Sequence, residues 1–145
     1  MTSTTKKIFH QRMWKMICFS APLKQFTISI RGWCCRPAPL LGTEHAQEVQ
    51  DLYRDSGLLY VTVLIETTNG SVPTQADVAA WAAEYGNTDS LVVAGSREIL
   101  QSGGGTWPLS GWPTFYYIDE EMVLRDIDRG YNEQEVIFSI DWLLN

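Results

Sequence analysis

The sequence predicts one α/β domain, a central mixed β-sheet flanked by helices and closed by a C-terminal β-hairpin and helix. Three observations carry that expectation. The run Leu58-Leu59-Tyr60-Val61-Thr62-Val63-Leu64-Ile65 is almost continuously apolar, as a strand buried on both faces must be. Segments with helical spacing alternate with short apolar runs up to Ala94, the order expected of β-α-β units. Finally, Phe115 to Ile118 and Met122 to Ile127 are two strand-like runs joined by the polar link Asp119-Glu120-Glu121, short enough only for an antiparallel hairpin.

At 145 residues the chain is long enough for one sizeable core, and 45% hydrophobic with 12% aromatic residues excludes a disordered polymer. The net charge of -6 is unevenly spread. Residues 1–43 carry Lys6, Lys7, Arg12, Lys15, Lys24, Arg31 and Arg36 and no acid, whereas all 17 acidic residues follow. An acidic body would repel phosphates, so nucleic acid is not an expected partner.

Residues 1–25 read as a poorly structured or targeting-like extension, and 26–145 as the folded domain. The extension is rich in Thr and Ser, with Met13-Trp14-Lys15-Met16-Ile17-Cys18-Phe19 as its apolar part. Lys15 interrupts that run, which falls short of the roughly 7–15 unbroken apolar residues of an export signal and of the about 20 of a membrane span. A divergent export or lipoprotein signal, a loose extension, and an artefact of reading frame or start site all stay open. No stable membrane span is expected.

In chain order, Phe26, Ile28 and Ile30 alternate with Thr27, Ser29 and Arg31, the period of a half-buried strand. Gly32-Trp33-Cys34-Cys35-Arg36-Pro37 follows. Thr43 to Ser56 reads as a helix capped by Thr43, with Glu44 and His45 in its first turn and Gly57 at its end. His45 is expected to be a solvated surface residue, and Glu66, after the long apolar strand, a solvated strand-end carboxylate. Thr74-Gln75-Ala76-Asp77 reads as a capping box. Val78, Trp81, Ala82 and Tyr85 then give one buried helical face before Gly86. Leu91 to Ala94 is a further short buried strand, and the loop from Gly95 to Gly111, with Gly103 to Gly105, a flexible carrier. Asn132 caps the last helix, whose stripe is Val136, Ile140, Leu143 and Leu144.

Pro113 in Gly111-Trp112-Pro113-Thr114 stands at the start of a strand, one of the few places a strand tolerates proline. The bond before it can be cis for only about 0.5–1 kcal/mol. The three cysteines, Cys18, Cys34 and Cys35, form no disulfide framework and no C-x-x-C pair for zinc, so neither metal nor cofactor is expected. By themselves, Cys34 and Cys35 read equally well as ordinary half-buried thiols or as reactive ones, and a vicinal disulfide between them would be strained.

The order strand, helix, strand, Pro-Thr, strand, acidic turn, strand, helix resembles the thioredoxin-like redoxins of the TlpA type. So do Trp33-Cys34 after a strand and the stretch Val-Pro-Thr-x-x-Asp-x-x-x-Trp-Ala-x-x-Tyr-Gly from Val72 to Gly86. The resemblance implies a thioredoxin-like fold with a cis-proline loop before the hairpin. It also implies thiol-disulfide exchange on a protein thiol or disulfide, a part in redox homeostasis, and the bacterial periplasm or cell envelope as location. Cys34 and Cys35 would then be the catalytic residues, with Trp33, Trp112, Pro113 and Thr114 binding substrate. A family thiolate is stabilised at a helix N-terminus, and a second cysteine three positions on resolves the mixed disulfide. Here that second position is Pro37, which implies impaired exchange through a degenerate C-x-x-C. The alternative is a thioredoxin-like binding module without catalysis. A peroxidase would need Thr-x-x-Cys preceded by proline, which is absent.

Overall fold

The computed structural model describes residues 25–32, 38–87, 89–100, 105, 107–108 and 113–145, with residues up to 44 described by their backbone course. Five strands form one sheet in the order β3-β2-β1-β4-β5. They are β1 (Gln25–Gly32), β2 (Leu58–Glu66), β3 (Leu91–Ala94), β4 (Thr114–Asp119) and β5 (Leu124–Arg129). The helices are α1 (Ala38–Tyr53), α2 (Gln75–Glu84) and α3 (Glu133–Leu144). The sheet is mixed, with β1, β2 and β3 mutually parallel, β4 antiparallel to β1, and β5 antiparallel to β4.

Period-2 alternation along β2 explains how one strand serves two cores. Leu58 and Tyr60 point to the face where Ala46, Val49 and Tyr53 of α1 and Val136 and Ile140 of α3 pack, together with Phe115 and Tyr117 of β4. Leu64 on the same face meets Trp81 of α2 and Tyr85 just after it. Leu59, Val61 and Ile65 point the other way, onto Leu100, Tyr116, Ile118 and Met122. Thus all three described α-helices lie on one face, while the second is closed by the chain after β3 and by the hairpin. Among the described residues no helix is long and apolar enough to cross a membrane.

Local chemistry accounts for most boundaries. Thr74 accepts from the Asp77 amide at 3.2 Å while Asp77 accepts from the Thr74 amide at 2.8 Å, closing the expected capping box on α2. Asn132 caps α3 by accepting from the Gln134 and Glu135 amides at 3.1 and 3.4 Å. Gly57 adopts the left-handed conformation at φ 89° after a tightened turn, Arg54–Ser56. Where β3 does not reach, at the amino end of β2, the buried Gln50 amide does a strand's work, donating to the Leu58 carbonyl at 2.9 Å and accepting from the Tyr60 amide at 2.8 Å.

Four expectations need correction. Helix α1 starts at Ala38, not Thr43, so Thr43 is not its cap and His45 lies two turns inside. Pro39 is tolerated because first-turn amides have no helical partner, and Gly42 weakens the helix without ending it. Strand β5 begins at Leu124 rather than Met122, because Met122 itself turns the chain at φ 63°. Asp119 holds that turn, accepting from the Glu121 and Val123 amides at 3.0 and 2.9 Å. Strand β3 is an edge strand and only half-buried. The described part of the 95–111 loop is firmly seated: Leu100 is 3% exposed and forms a parallel bridge with Trp107. Trp107 in turn meets the Tyr116 ring edge-on at 4.7 Å, and the Tyr116 hydroxyl donates to the Pro108 carbonyl.

Candidate functional site

The carboxyl end of β1 is where the expected site must be sought, because β1 ends at Gly32 and α1 begins at Ala38, five residues intervening. Cys34 and Cys35 belong to that connection, Trp33-Cys34-Cys35-Arg36-Pro37. These residues, and Trp112, lie outside the described residues, as does the geometry of the bond before Pro113. Pro113 and Thr114 are described. Thr114 pairs with Ile30 of β1 on one side and Arg129 of β5 on the other. It is fully buried, at 0% exposure. Pro113 is buried immediately before it, and its carbonyl accepts from the Gly130 amide at 2.8 Å. Pro113 therefore enters the strand next to β1 at the same end of the sheet from which the cysteine-bearing connection departs.

Glu66 belongs to the same end, since its backbone is in register with Gly32 across a local irregularity in the β1–β2 pairing. Contrary to expectation it is not solvated: it is 2% exposed and paired with Arg97 after β3. The Arg97 Nε donates to Glu66 Oε2 at 2.9 Å, and Nη2 bonds the same oxygen. Burial of a carboxylate demands such a partner. No local pattern could have revealed it, because 31 residues separate the two.

His45 is likewise not a free surface side chain. Its ring stacks on Tyr131 at 6.1 Å with an interplanar angle of 8°, and its Nδ1 lies 2.7 Å from Glu48 Oε2. Tyr131 packs against Phe115 at 6.1 Å, so three rings link α1, the chain entering α3, and β4 next to Thr114. Deeper in the same core, Tyr117 donates to Asp128 Oδ2 at 2.8 Å. Burial first, then that bond, pushes its phenol far above the usual tyrosine range. Burial, against the opposing charge of Arg129, raises the Tyr116 phenol to about 12. Both phenols stay protonated and act as structural donors.

This arrangement, a β-α-β-α-β half followed by a strand opened by proline, a hairpin and a helix, is one that other proteins share. The fold is thioredoxin-like. Neither a family model nor a curated protein matches the sequence. Solved structures do match in shape. A thiol-disulfide isomerase from Corynebacterium glutamicum is 17% identical, with 85% of this chain and 82% of that one covered and a TM-score of 0.66. A thiol:disulfide interchange protein of the thioredoxin family from Chlorobium tepidum is 14% identical over 84% and 81% of the two chains, with a TM-score of 0.63. The thioredoxin domain of a thiol-disulfide oxidoreductase from Bacteroides vulgatus is 10% identical over 84% and 80%, also at 0.63. At such identities the likeness establishes the thioredoxin-like architecture.

Proposed function

We propose that this chain is a thioredoxin-like protein for thiol-disulfide exchange with a protein thiol or disulfide, and that its dithiol turnover is impaired. The observation that carries the reading is the Ile30–Thr114 pairing, which sets Pro113 beside the strand that leads into Trp33 and Cys34. In this reading the Cys34 thiolate attacks a partner disulfide, forming a mixed disulfide and releasing one partner thiolate. The extended substrate chain lies along Pro113 and the Trp112 backbone as an added strand, with Trp33 and Trp112 as an apolar rim. Thr114, buried within the sheet, holds Pro113 in place through its backbone pairing.

Impairment follows from Pro37 at the position where a resolving cysteine would stand. Cys35 or an external thiol must then break the mixed disulfide, and Cys35 is adjacent to Cys34 instead of one helical turn away. The neighbours named as isomerase, interchange protein and oxidoreductase support this class of chemistry, and the acidic body supports a protein rather than a nucleic-acid partner. Insulin reduction by dithiothreitol tests the reading. Turnover far below that of a C-x-x-C thioredoxin is expected, abolished by Cys34→Ser. A rate equal to such a thioredoxin would refute the impairment. A second reading, a binding module without catalysis, is favoured by the same Pro37. It requires that Cys34→Ser leave partner capture unchanged.

A further inference from the structure

Two large apolar side chains on α3 face solvent one helical turn apart: Phe138 is 71% and Trp142 59% exposed. At spacing i, i+4 they form one continuous patch. Exposed Gln134, Glu135, Asp141 and Asn145 surround it. The helix carries Glu133, Glu135 and Asp141 and no Lys or Arg. We propose that the apolar segment Met13–Phe19 of this same chain packs on the Phe138–Trp142 face.

Three observations select this occupant. The first is position. The Tyr53 hydroxyl donates to Asp141 Oδ1 at 2.7 Å, so the last turn of α3 lies beside the end of α1, next to where β2 starts at Leu58. Leu58 is in register with Gln25, the first residue of β1. The chain therefore enters the sheet at the end where Trp142 is exposed. The second is reach. Ser20 to Lys24 connect the apolar segment to β1, and five extended residues span about 17 Å, close to the about 18 Å length of a helix the size of α3. The third is charge. Residues 1–24 hold Lys6, Lys7, Arg12, Lys15 and Lys24 without one acid, complementary to the acidic rim of the patch. A partner of this composition gains both apolar burial and attraction that salt would weaken.

Hydroxyl-radical footprinting of the full chain, read at Trp142 by mass spectrometry, tests the proposal. Ile17→Asp should raise Trp142 labelling severalfold, as should molar salt, while the buried Trp81 stays unlabelled. A cysteine-trapping experiment complements it, in a chain carrying Cys34→Ser and Cys35→Ser, with Cys18 as the native probe. Under mild oxidation Asn145→Cys or Gln134→Cys should form an intramolecular disulfide with Cys18, and Thr68→Cys, at the opposite end of the sheet, should not. Trp142 labelling that Ile17→Asp leaves unmoved overturns the proposal. So do disulfides only between chains, which would assign the patch to a second copy, or equal trapping at Thr68→Cys.

Discussion

Glu66 and Arg97 form a lopsided ion pair, the carboxylate side chain 3% exposed and the guanidinium side chain 67% exposed. Removing the arginine takes an ionic partner from a carboxylate held in the interior, whereas removing a surface partner does not. Arg97→Ala should therefore cost about 2–4 kcal/mol in urea unfolding. Arg54→Ala, which breaks surface pairs to Asp51 and Asp89, whose side chains are 57% and 58% exposed, should leave the urea midpoint nearly unchanged. Equal losses for the two variants would mean that Glu66 is hydrated in solution.

Gly105 approaches the chain so closely that a Cβ there would stand 2.2 Å from the Ile99 carbonyl oxygen. Its amide also donates to the Leu100 carbonyl at 2.7 Å, so the backbone cannot simply back away. Gly105→Ala should destabilise the fold by about 1–3 kcal/mol, as overpacking does. Because Trp107 follows in the same turn, its near-ultraviolet circular dichroism should weaken in parallel. An unchanged spectrum with unchanged stability would refute the tight turn.

The pH dependence of Tyr53 has a definite sign. Burial first, then the bond to Asp141, raises its phenol from 10.0 to about 12. A group whose folded value is raised contributes stability that is complete below the unfolded value and lost as pH climbs through the folded one. Tyr53→Phe should thus cost about 1 kcal/mol at neutral pH, and the gap from the unmodified chain should close between pH 10 and pH 12. A gap that widens in this window would contradict the assignment.

The Asn132 cap should be worth about 1 kcal/mol, lost in Asn132→Ala and largely kept in Asn132→Asp. Thermal unfolding monitored at 222 nm would register it. Hydrogen exchange should localise the loosening to Gln134 and Glu135, whose amides it binds. Protection lost instead in β5 would show that Asn132 acts on the hairpin and not on α3.

Several elements were legible from neighbouring residues alone. The continuous apolar run of β2, the Thr74–Asp77 box, the Asn132 cap and the left-handed Gly57 each involve residues a few positions apart, and short-range sterics and hydrogen bonds decide them. The start of α1 escaped because Pro39 and Gly42 look like breaks when propensity is read locally, although a first turn tolerates the one and a long helix absorbs the other. The order of elements was legible too, and it implied the thioredoxin-like fold.

What the chain's own letters determined, then, is which segments become strands and helices, where they are capped, and which residue types could carry sulfur chemistry. Only the folded sheet decided that Thr114 lies against Ile30, that Glu66 is buried on Arg97, and that His45 stacks on Tyr131. Strands β1 and β4 are far apart in sequence and become neighbours only because the β-α-β half grows away from one edge of β1, leaving the other edge open to the hairpin. Such pairings are settled by backbone hydrogen bonds and burial summed over the whole sheet, and no short stretch of sequence contains that sum.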